Sequence, residues 1–311
     1  MLAIYLTKVR KMDDDISQIR RFNRTVTHRI GALGENYLGT GRPLGEARLL
    51  FEIGEIGEDG ATVRDLRERL ALDSGYLSRM LRALEAQKLV TTTRDADDGR
   101  VRRVTLTVKG RRAWAALDQR SKDMAVSLLE PLGPAQRERL LAAMAEIERL
   151  FRASAVTIGA VDPFSKASED CLRAYYTELQ ERFDEGFDPE IYLAARPDEL
   201  VPPSGWLLVA HLDGVAIGCG ALKVQGGGYG EIKRMWVAKS ARGIGVAQRL
   251  LEALEKQAIQ VGVQVVRLDT NRNLVEACRM YEHNGYHEIA AYNTNPYAHH
   301  WFEKRLTGPS T

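Results

Sequence analysis

From residue 13 to residue 36 the apolar positions Ile16, Ile19, Phe22, Val26, Ile30 and Leu33 recur every three or four residues, the period of one helix face. Residues 45–56 continue in the same way after Pro43, which predicts a second helix. Short helical units follow: Thr62 is placed to cap a helix reaching Leu70, and Asp73 or Ser74 to cap another reaching Ala86. Only Ala71, Leu72 and Asp73 separate these two, a turn short enough to set one helix across the other. Residues 89–93 and 101–107 alternate as strands do, around the turn-rich Asp95, Ala96, Asp97, Asp98 and Gly99. Two long helical patterns, 108–129 and 134–151, complete this half.

Beyond residue 153 the periods switch between two and 3.6. Residues 156–161 predict a strand, 168–183 an amphipathic helix, and 206–212 with 215–224 an antiparallel pair turned at Asp213 and Gly214. A strand over 231–237 leads into a glycine-rich turn and a helix over 246–261. A buried strand over 263–268, a helix over 273–283 and strands near 286–290 and 300–306 follow. The alternation predicts an α/β domain over 154–311 after a mainly α domain over 1–153.

Composition narrows the setting. Three scattered cysteines, Cys171, Cys219 and Cys278, form neither a disulfide framework nor a CxxC pair, so a reducing, cytoplasmic location is expected. Adjacent His299 and His300 would face opposite sides of a strand, and no metal site is expected. No apolar run is long enough to cross a bilayer, and the first 15 residues turn acidic too soon for a signal peptide; no membrane association is expected. The near-neutral total hides a split: residues 1–153 carry 28 Lys and Arg against 22 Asp and Glu, and the remainder 16 against 20. The basic half is therefore the better partner for a polyanion.

Helix, turn, helix and basic hairpin in that order predict a winged helix-turn-helix, with the two long helices left over for dimerisation. A helix entering a major groove needs small or donor residues in its first turns, and Ser74, Gly75, Tyr76, Ser78, Arg79 and Arg82 supply them. Arg100 stands at the hairpin tip, where a narrow minor groove attracts arginine. Asp98, Gly99, Arg100, then Val104, Leu106, Thr107 and Gly110, resemble the wing of the MarR family of transcriptional regulators. That resemblance implies a homodimer on a palindromic operator in double-stranded DNA. It assigns base or phosphate contacts to Ser74, Ser78 and Arg79 and the minor-groove contact to Arg100, oriented by Asp98, with Arg102 on the same basic hairpin. The segment 16–33 and the helices between Trp114 and Leu150 would form the dimer interface.

In the second half, Arg242, Gly243, Ile244, Gly245, Val246 and Ala247 follow a strand and open a helix, where unpaired N–H groups and the helix dipole favour an anion. Their spacing resembles the acyl-CoA loop of the GNAT acetyltransferases. Agreement extends to the run from Glu231 to Val237, to Leu268, Asp269, Thr270 and Asn271, and to Ala277, Tyr281, Gly285 and Tyr286. The resemblance implies a mixed, mostly antiparallel sheet and acetyl-CoA as co-substrate. It gives the acetyl and pantetheine contacts to the backbone around Met235, Trp236 and Val237, the diphosphate contacts to the amides of residues 242–247, a further contact to Asn271, and the role of general acid to Tyr281. The pattern departs at Leu274, where many members carry asparagine. Glu231 is the candidate base, acting through water or simply attracting an ammonium. Glu178, Arg182, Asn293, Asn295 and Tyr297 are candidates for an acceptor pocket.

The expectation is therefore a DNA-binding regulator fused to an N-acetyltransferase that acts by direct transfer on a small amine or amino-acid-like acceptor. A non-catalytic acyl-CoA or metabolite sensor and a protein-lysine acetyltransferase remain the open alternatives.

Overall fold

The computed structural model describes residues 2–94, 100–184, 186–189, 191 and 195–306, with backbone alone for 2–10. The chain divides into two compact units, Met1–Leu141 and Ala142–Thr311.

The first unit begins with the helix α1 (Leu2–Arg29), which starts eleven residues before the predicted helix and ends at a turn on Gly31. Then come α2 (Leu44–Ile56), a two-residue strand β1 (Ala61–Thr62), α3 (Val63–Arg69) and α4 (Ser74–Ala86). Both short helices are capped from the residue before them. Thr62 Oγ1 accepts from the Asp65 amide at 3.0 Å, and Asp73 Oδ1 from the Tyr76 amide at 2.8 Å. The strands β2 (Val90–Arg94) and β3 (Arg102–Leu106) pair antiparallel, and β1 adds to the other edge of β3. At two residues, β1 is too short to leave a periodic trace in the sequence. The core consists of Leu49, Leu50 and Ile53 of α2, Leu66 of α3, Leu77, Leu81 and Leu84 of α4, and Leu89 and Val104 of the hairpin. The helices α5 (Val108–Leu129) and α6 (Pro134–Ala155) follow, and α6 crosses from the first unit into the second.

The second unit is a seven-stranded sheet in the order β4-β5-β6-β7-β8-β10-β9. Its strands are β4 (Thr157–Val161), β5 (Gly205–Leu212), β6 (Val215–Val224), β7 (Tyr229–Val237), β8 (Val265–Thr270), β9 (His287–Glu288) and β10 (His300–Arg305). All neighbours are antiparallel except β7 and β8, so the sheet is mixed and mostly antiparallel. The period of two along β5 sends Leu208, Ala210 and Leu212 to one core and Leu207 and Val209 to another. The first core is closed by Leu250, Leu251 and Leu254 of α8 (Val246–Gln260); the second takes Cys171 of α7 (Lys166–Arg182). The last helix, α9 (Val275–His283), puts Tyr281 in the first core. No helix among the described residues is long and apolar enough to cross a membrane.

In the first unit the junction of hairpin and α5 is the tightest point. Thr107 caps α5 through the Gly110 amide at 2.9 Å, and a Cβ built on Gly110 would meet the Leu89 carbonyl oxygen at 1.8 Å. Gly110→Ala is therefore expected to cost about 2 kcal/mol or more in unfolding free energy. Urea denaturation followed by circular dichroism measures it, and an unchanged midpoint would contradict this packing.

Candidate functional site

The register of β7 opens a cleft in the second unit. Its pairing with β6 shifts between Cys219 and Ala221, and Arg234 in the displaced stretch has φ +57°, an unusual conformation for a residue with a side chain. On its other edge β7 pairs with β8 only at Tyr229, Gly230 and Glu231. From Ile232 onward the two parallel strands part, and the β8-facing backbone edge of β7 has no ladder partner there.

Below the gap lies the start of α8. Gly243 and Gly245 have φ +77° and +80° with open space where a Cβ would stand, so it is the left-handed backbone that demands glycine. Gly245 is the N-cap and provides no side-chain cap, which leaves the first amides of α8 free to meet an anion. Ile244 and Val246 are buried and pin this turn to the core. From behind, Arg149 and Arg152 of α6 donate to the carbonyls of Gly243 at 2.6 Å and Ser240 at 3.0 Å. Together these elements enclose a cleft of about 470 Å³.

Glu178 of α7 bridges this cleft. Its carboxylate accepts from Arg242 Nη2 at 2.6 Å on both oxygens, from Trp236 Nε1 at 3.0 Å and from Arg182 Nη1 at 3.3 Å. Burial alone would raise its pKa; the hydrogen bonds from Arg242 and Trp236 and the charge of Arg242 outweigh burial and hold it below the usual carboxylate range. Arg242 also donates to the Val237 carbonyl at 3.1 Å, so its side chain is folded back onto protein. Arg182 is held by Glu276 at 2.6 and 2.9 Å, and that hydrogen bond lowers the Glu276 pKa to about 2.

A second, smaller cavity of about 80 Å³ shares Tyr175, Leu179, Met235, Leu274, Ala277 and Tyr281 with the first. Its far wall is aromatic: Tyr176 stacks on Phe187 at 5.6 Å, and Phe187 and Phe183 pack on Tyr297 at 4.9 and 5.9 Å. Its floor carries charge. Asp269 accepts from Lys233, from Asn293 at 2.8 Å and from Asn295 at 2.7 Å. Burial raises the pKa of Asp269, but Lys233 and the two amides prevail and lower it. Asp269 is thus ionised at neutral pH with three donors on its carboxylate, which makes it a poor proton acceptor. Tyr281 stands between the cavities, 4% exposed and packed on Tyr286 and Phe302 at 5.7 and 6.1 Å, with its phenol pKa pushed up by burial.

In the first unit α4 has two faces. Leu77, Met80, Leu81 and Leu84 are buried, whereas Ser74, Gly75, Tyr76, Arg79 and Arg82 are exposed and Ser78 is half-buried. Arg79 lies over the Tyr76 ring at 5.7 Å, and Arg82 Nε donates to the Ser78 carbonyl at 3.3 Å. Arg94 and Arg102 are cross-strand partners near the hairpin tip, so their charges reinforce one another. Arg100 is exposed, while the wing positions Asp98 and Gly99 lie outside the described residues.

Residues 170–286 match the acetyltransferase (GNAT) family and residues 40–101 match the MarR family. The chain joins a MarR-family segment to a GNAT-family segment. The chain is 38% identical over 88 residues to an IAA acetyltransferase of Azospirillum brasilense, an alignment covering 28% of this chain and 58% of that protein. An uncharacterized HTH-type transcriptional regulator of Bacillus subtilis, YxaD, is 33% identical over 90 residues, 29% of this chain and 62% of its own length. The chain thus spans about three-fifths of each of these relatives. A solved GNAT-family acetyltransferase from Staphylococcus aureus is 15% identical, covers 49% of this chain and 100% of its own, and superposes with a TM-score of 0.42.

Of the positions expected to serve the GNAT cofactor, Met235, Trp236, Val237, Arg242, Gly243, Gly245, Val246 and Ala247 line the larger cleft, with Ile244 buried behind it. Asn271 does not reach it. Its side chain is used up by the Tyr297 carbonyl at 2.8 Å and the Asn273 amide at 2.9 Å, and it lines the smaller cavity. Glu231, the candidate base, lines neither; it is buried on β7 with Lys233 Nζ at 3.4 Å. Among the proposed acceptor residues, Asn295 and Tyr297 line the smaller cavity, whereas Glu178 and Arg182 belong to the larger. Sequence reasoning assigned no role to Arg234 and did not anticipate the Glu178–Arg242 bridge, whose partners stand 64 residues apart.

Glu178→Gln removes the charge that neutralises Arg242. The cost is expected to be about 1–2 kcal/mol, less than for a fully buried pair because Arg242 is 37% exposed. Because the folded pKa of Glu178 is depressed, its contribution is present above the unfolded value near 4.3 and is lost as pH falls through the folded value. Thermal melts should show wild type and variant furthest apart near pH 6 and converging below about pH 4. A gap that widens on acidification would contradict the assigned charge state.

Proposed function

We propose that this chain is a homodimeric, operator-binding transcriptional regulator, with a domain boundary near residue 153, whose GNAT segment transfers acetyl from acetyl-CoA to a small amine or amino-acid-like acceptor. The observation that carries the enzymatic half is the parted β7 and β8 above an uncapped, glycine-led helix start. A flexible thiol ester arm suits the free backbone edge of β7, and a diphosphate suits the amides of residues 243–247. Acetyl-CoA supplies the activated acyl group when bound.

The residues of the chain do the rest. Met235 and Val237 orient the acyl end through backbone groups, as a strand without a neighbour can. Tyr281, on the wall common to both cavities, stays protonated until the C–S bond breaks, gives its proton to the departing sulfur, and is restored by the proton that the attacking amine nitrogen sheds as the amide forms. Transfer is direct: burial pushes the half-buried Cys278 thiol up, away from the thiolate an acyl carrier needs. With Glu231 engaged by Lys233 and Asp269 by three donors, neither carboxylate is free to deprotonate an ammonium. The acceptor must therefore arrive as free amine, which suits an α-amine of pKa near 8 far better than an ε-amine near 10.4.

In the MarR segment the outward face of α4 and the paired Arg94 and Arg102 support DNA binding. The apolar residues Ile16, Ile19 and Val26 of α1, Leu33 just beyond it, and Leu140 and Leu141 of α6 are exposed in the single chain and support a dimer interface there.

Thiol release from acetyl-CoA across a panel of amines tests the enzymatic half. Tyr281→Phe is expected to lower kcat about 100-fold with acetyl-CoA affinity retained. For a series of acceptors, kcat/KM is expected to rise with pH and level off at each amine's own pKa. Full activity in Tyr281→Phe, or an inflection fixed by the enzyme whatever the acceptor, would overturn this mechanism. For the DNA half, gel shifts on an operator selected from random sequence should show Arg79→Ala and Arg82→Ala each weakening binding, with a slope against log salt smaller by about one per lost phosphate contact. Binding indifferent to both substitutions would remove α4 as the DNA-reading element.

A further inference from the structure

Where the two cavities meet, the chain presents few polar side chains. Of the residues that line both, Leu179, Met235, Leu274 and Ala277 are apolar, which leaves the phenols of Tyr175 and Tyr281. Neither hydroxyl has a hydrogen-bond partner among the described residues. Neither is sealed away, however: the buried polar atoms without a partner include Arg234 Nε and Nη1 and Trp114 Nε1 but no atom of these two tyrosines. An unbonded hydroxyl that keeps exposed area on a residue walling both cavities is open to what enters them.

Tyr175 is held where it stands by its own helix. Cys171, Tyr175 and Leu179 follow at intervals of four along α7 and share a face with Glu178. Cys171 and Leu179 are buried, and Glu178 carries the bonds to Arg242 and Trp236, so the turn bearing Tyr175 is fixed at both ends. The Tyr176 ring packs on that of Tyr175 at 5.3 Å. Burial above all, and then the nearby Tyr176, Asp269 and Tyr281, push the Tyr175 phenol pKa up, so the group is a neutral phenol at neutral pH.

Acyl transfer to an amine develops charge at three atoms: the carbonyl oxygen, the departing sulfur and the attacking nitrogen. The open edge of β7 serves the first and Tyr281 the second. For the nitrogen, Glu231 lines neither cavity and Asp269 already holds three donors. Resting on the acetyl-transfer reading above, we infer that Tyr175 is a second catalytic residue, whose phenol oxygen accepts a hydrogen bond from the acceptor amine, and that the acceptor is a primary amine. The nitrogen lone pair forms the C–N bond, so nitrogen can only donate to the phenol. The carbonyl π pair moves to oxygen and returns as the C–S bond breaks, sulfur takes the Tyr281 proton, and one N–H proton restores Tyr281. Tyr175 gains and loses no proton. Its contact is to the other N–H, and it strengthens as the nitrogen turns positive, which favours the transition state over the bound substrate. A secondary amine has a single N–H for both tasks and surrenders the contact when that proton leaves.

Matched acceptors test this by thiol release from acetyl-CoA with the full chain: phenethylamine, propylamine and phenylalanine, each against its N-methyl counterpart. In the unaltered protein the primary member of each pair is expected to have the higher kcat/KM by about tenfold or more, a readout that needs no variant to fold. Tyr175→Phe, which removes one oxygen and keeps the ring, is expected to lower kcat for the primary amines by about ten- to a hundredfold and for the secondary amines by much less, so that the preference collapses. Acetyl-CoA affinity by calorimetry and the melting temperature should stay at their unaltered values. Tyr281→Phe, by contrast, should slow both members of a pair by the same factor, since it acts at sulfur. Equal turnover within the pairs in the unaltered protein, full activity in Tyr175→Phe, or equal losses for primary and secondary amines in that variant would each overturn the role at nitrogen while leaving acetyl transfer intact. If the unaltered protein acetylates none of the amines, the acetyl-transfer reading falls and takes the role of Tyr175 with it.

Discussion

The second unit depends on the parting of two parallel strands. β7 begins beside β8 with ordinary ladder pairing at Tyr229, Gly230 and Glu231, then leaves it, and the register shift against β6 with Arg234 in the left-handed region marks where it leaves. A ladder continued to Val237 would seal the sheet and satisfy every backbone group, so the gap costs several hydrogen bonds of about 1 kcal/mol each unless something else supplies them. The surrounding structure holds it open. Buried Val246, Leu250, Leu251 and Leu254 fix α8 so that its uncapped start cannot drift, and Glu178 ties Trp236 to Arg242 across the cleft. The bulge lies between Met235, which lines both cavities, and Arg234, which lines the smaller one, so one backbone irregularity shapes both.

The first unit solves a simpler problem by the same means, a rigid apolar core presenting one polar face. Leu77, Met80, Leu81 and Leu84 lock α4 against α2 and the hairpin, which leaves Gly75, Arg79 and Arg82 no choice but to face outward. Arg103 ties the hairpin to the preceding loop through the carbonyls of Asp59 and Gly60 at 3.0 and 3.1 Å, so the basic strand is held rather than trailing. Each unit thus offers positive potential to an anion in the form that suits it. On the proposed function, the second offers a few fixed amides to a compact diphosphate, the first an array of guanidinium groups to an extended polyanion.

Local chemistry made much of this legible in the sequence. The caps at Thr62 and Asp73 and the helix-to-strand alternation after residue 153 depend on neighbours in the chain, and the elements formed near the expected positions. The glycine turn at Gly243 and Gly245 was readable because only glycine takes those dihedral angles freely. What escaped depends on partners far away in sequence. Glu231 has the residue type of a base, but its distance from both cavities follows from the strand register and from Lys233 beside it. Asp269 is saturated by side chains 24, 26 and 36 residues distant. Arg234 reads in the sequence as one more polar residue of an alternating strand, and only the register shift turns it inward.

The central claim is that the open edge of β7 and the start of α8 are the parts of the chain that meet acetyl-CoA. Amide hydrogen exchange with and without saturating acetyl-CoA measures this directly. The account predicts slowed exchange concentrated at the β8-facing amides within residues 232–237 and at the amides that open α8, residues 243–247, where the free chain offers neither a β8 ladder nor a side-chain cap. Tight binding that leaves both segments unchanged, or that protects only residues elsewhere, would contradict it.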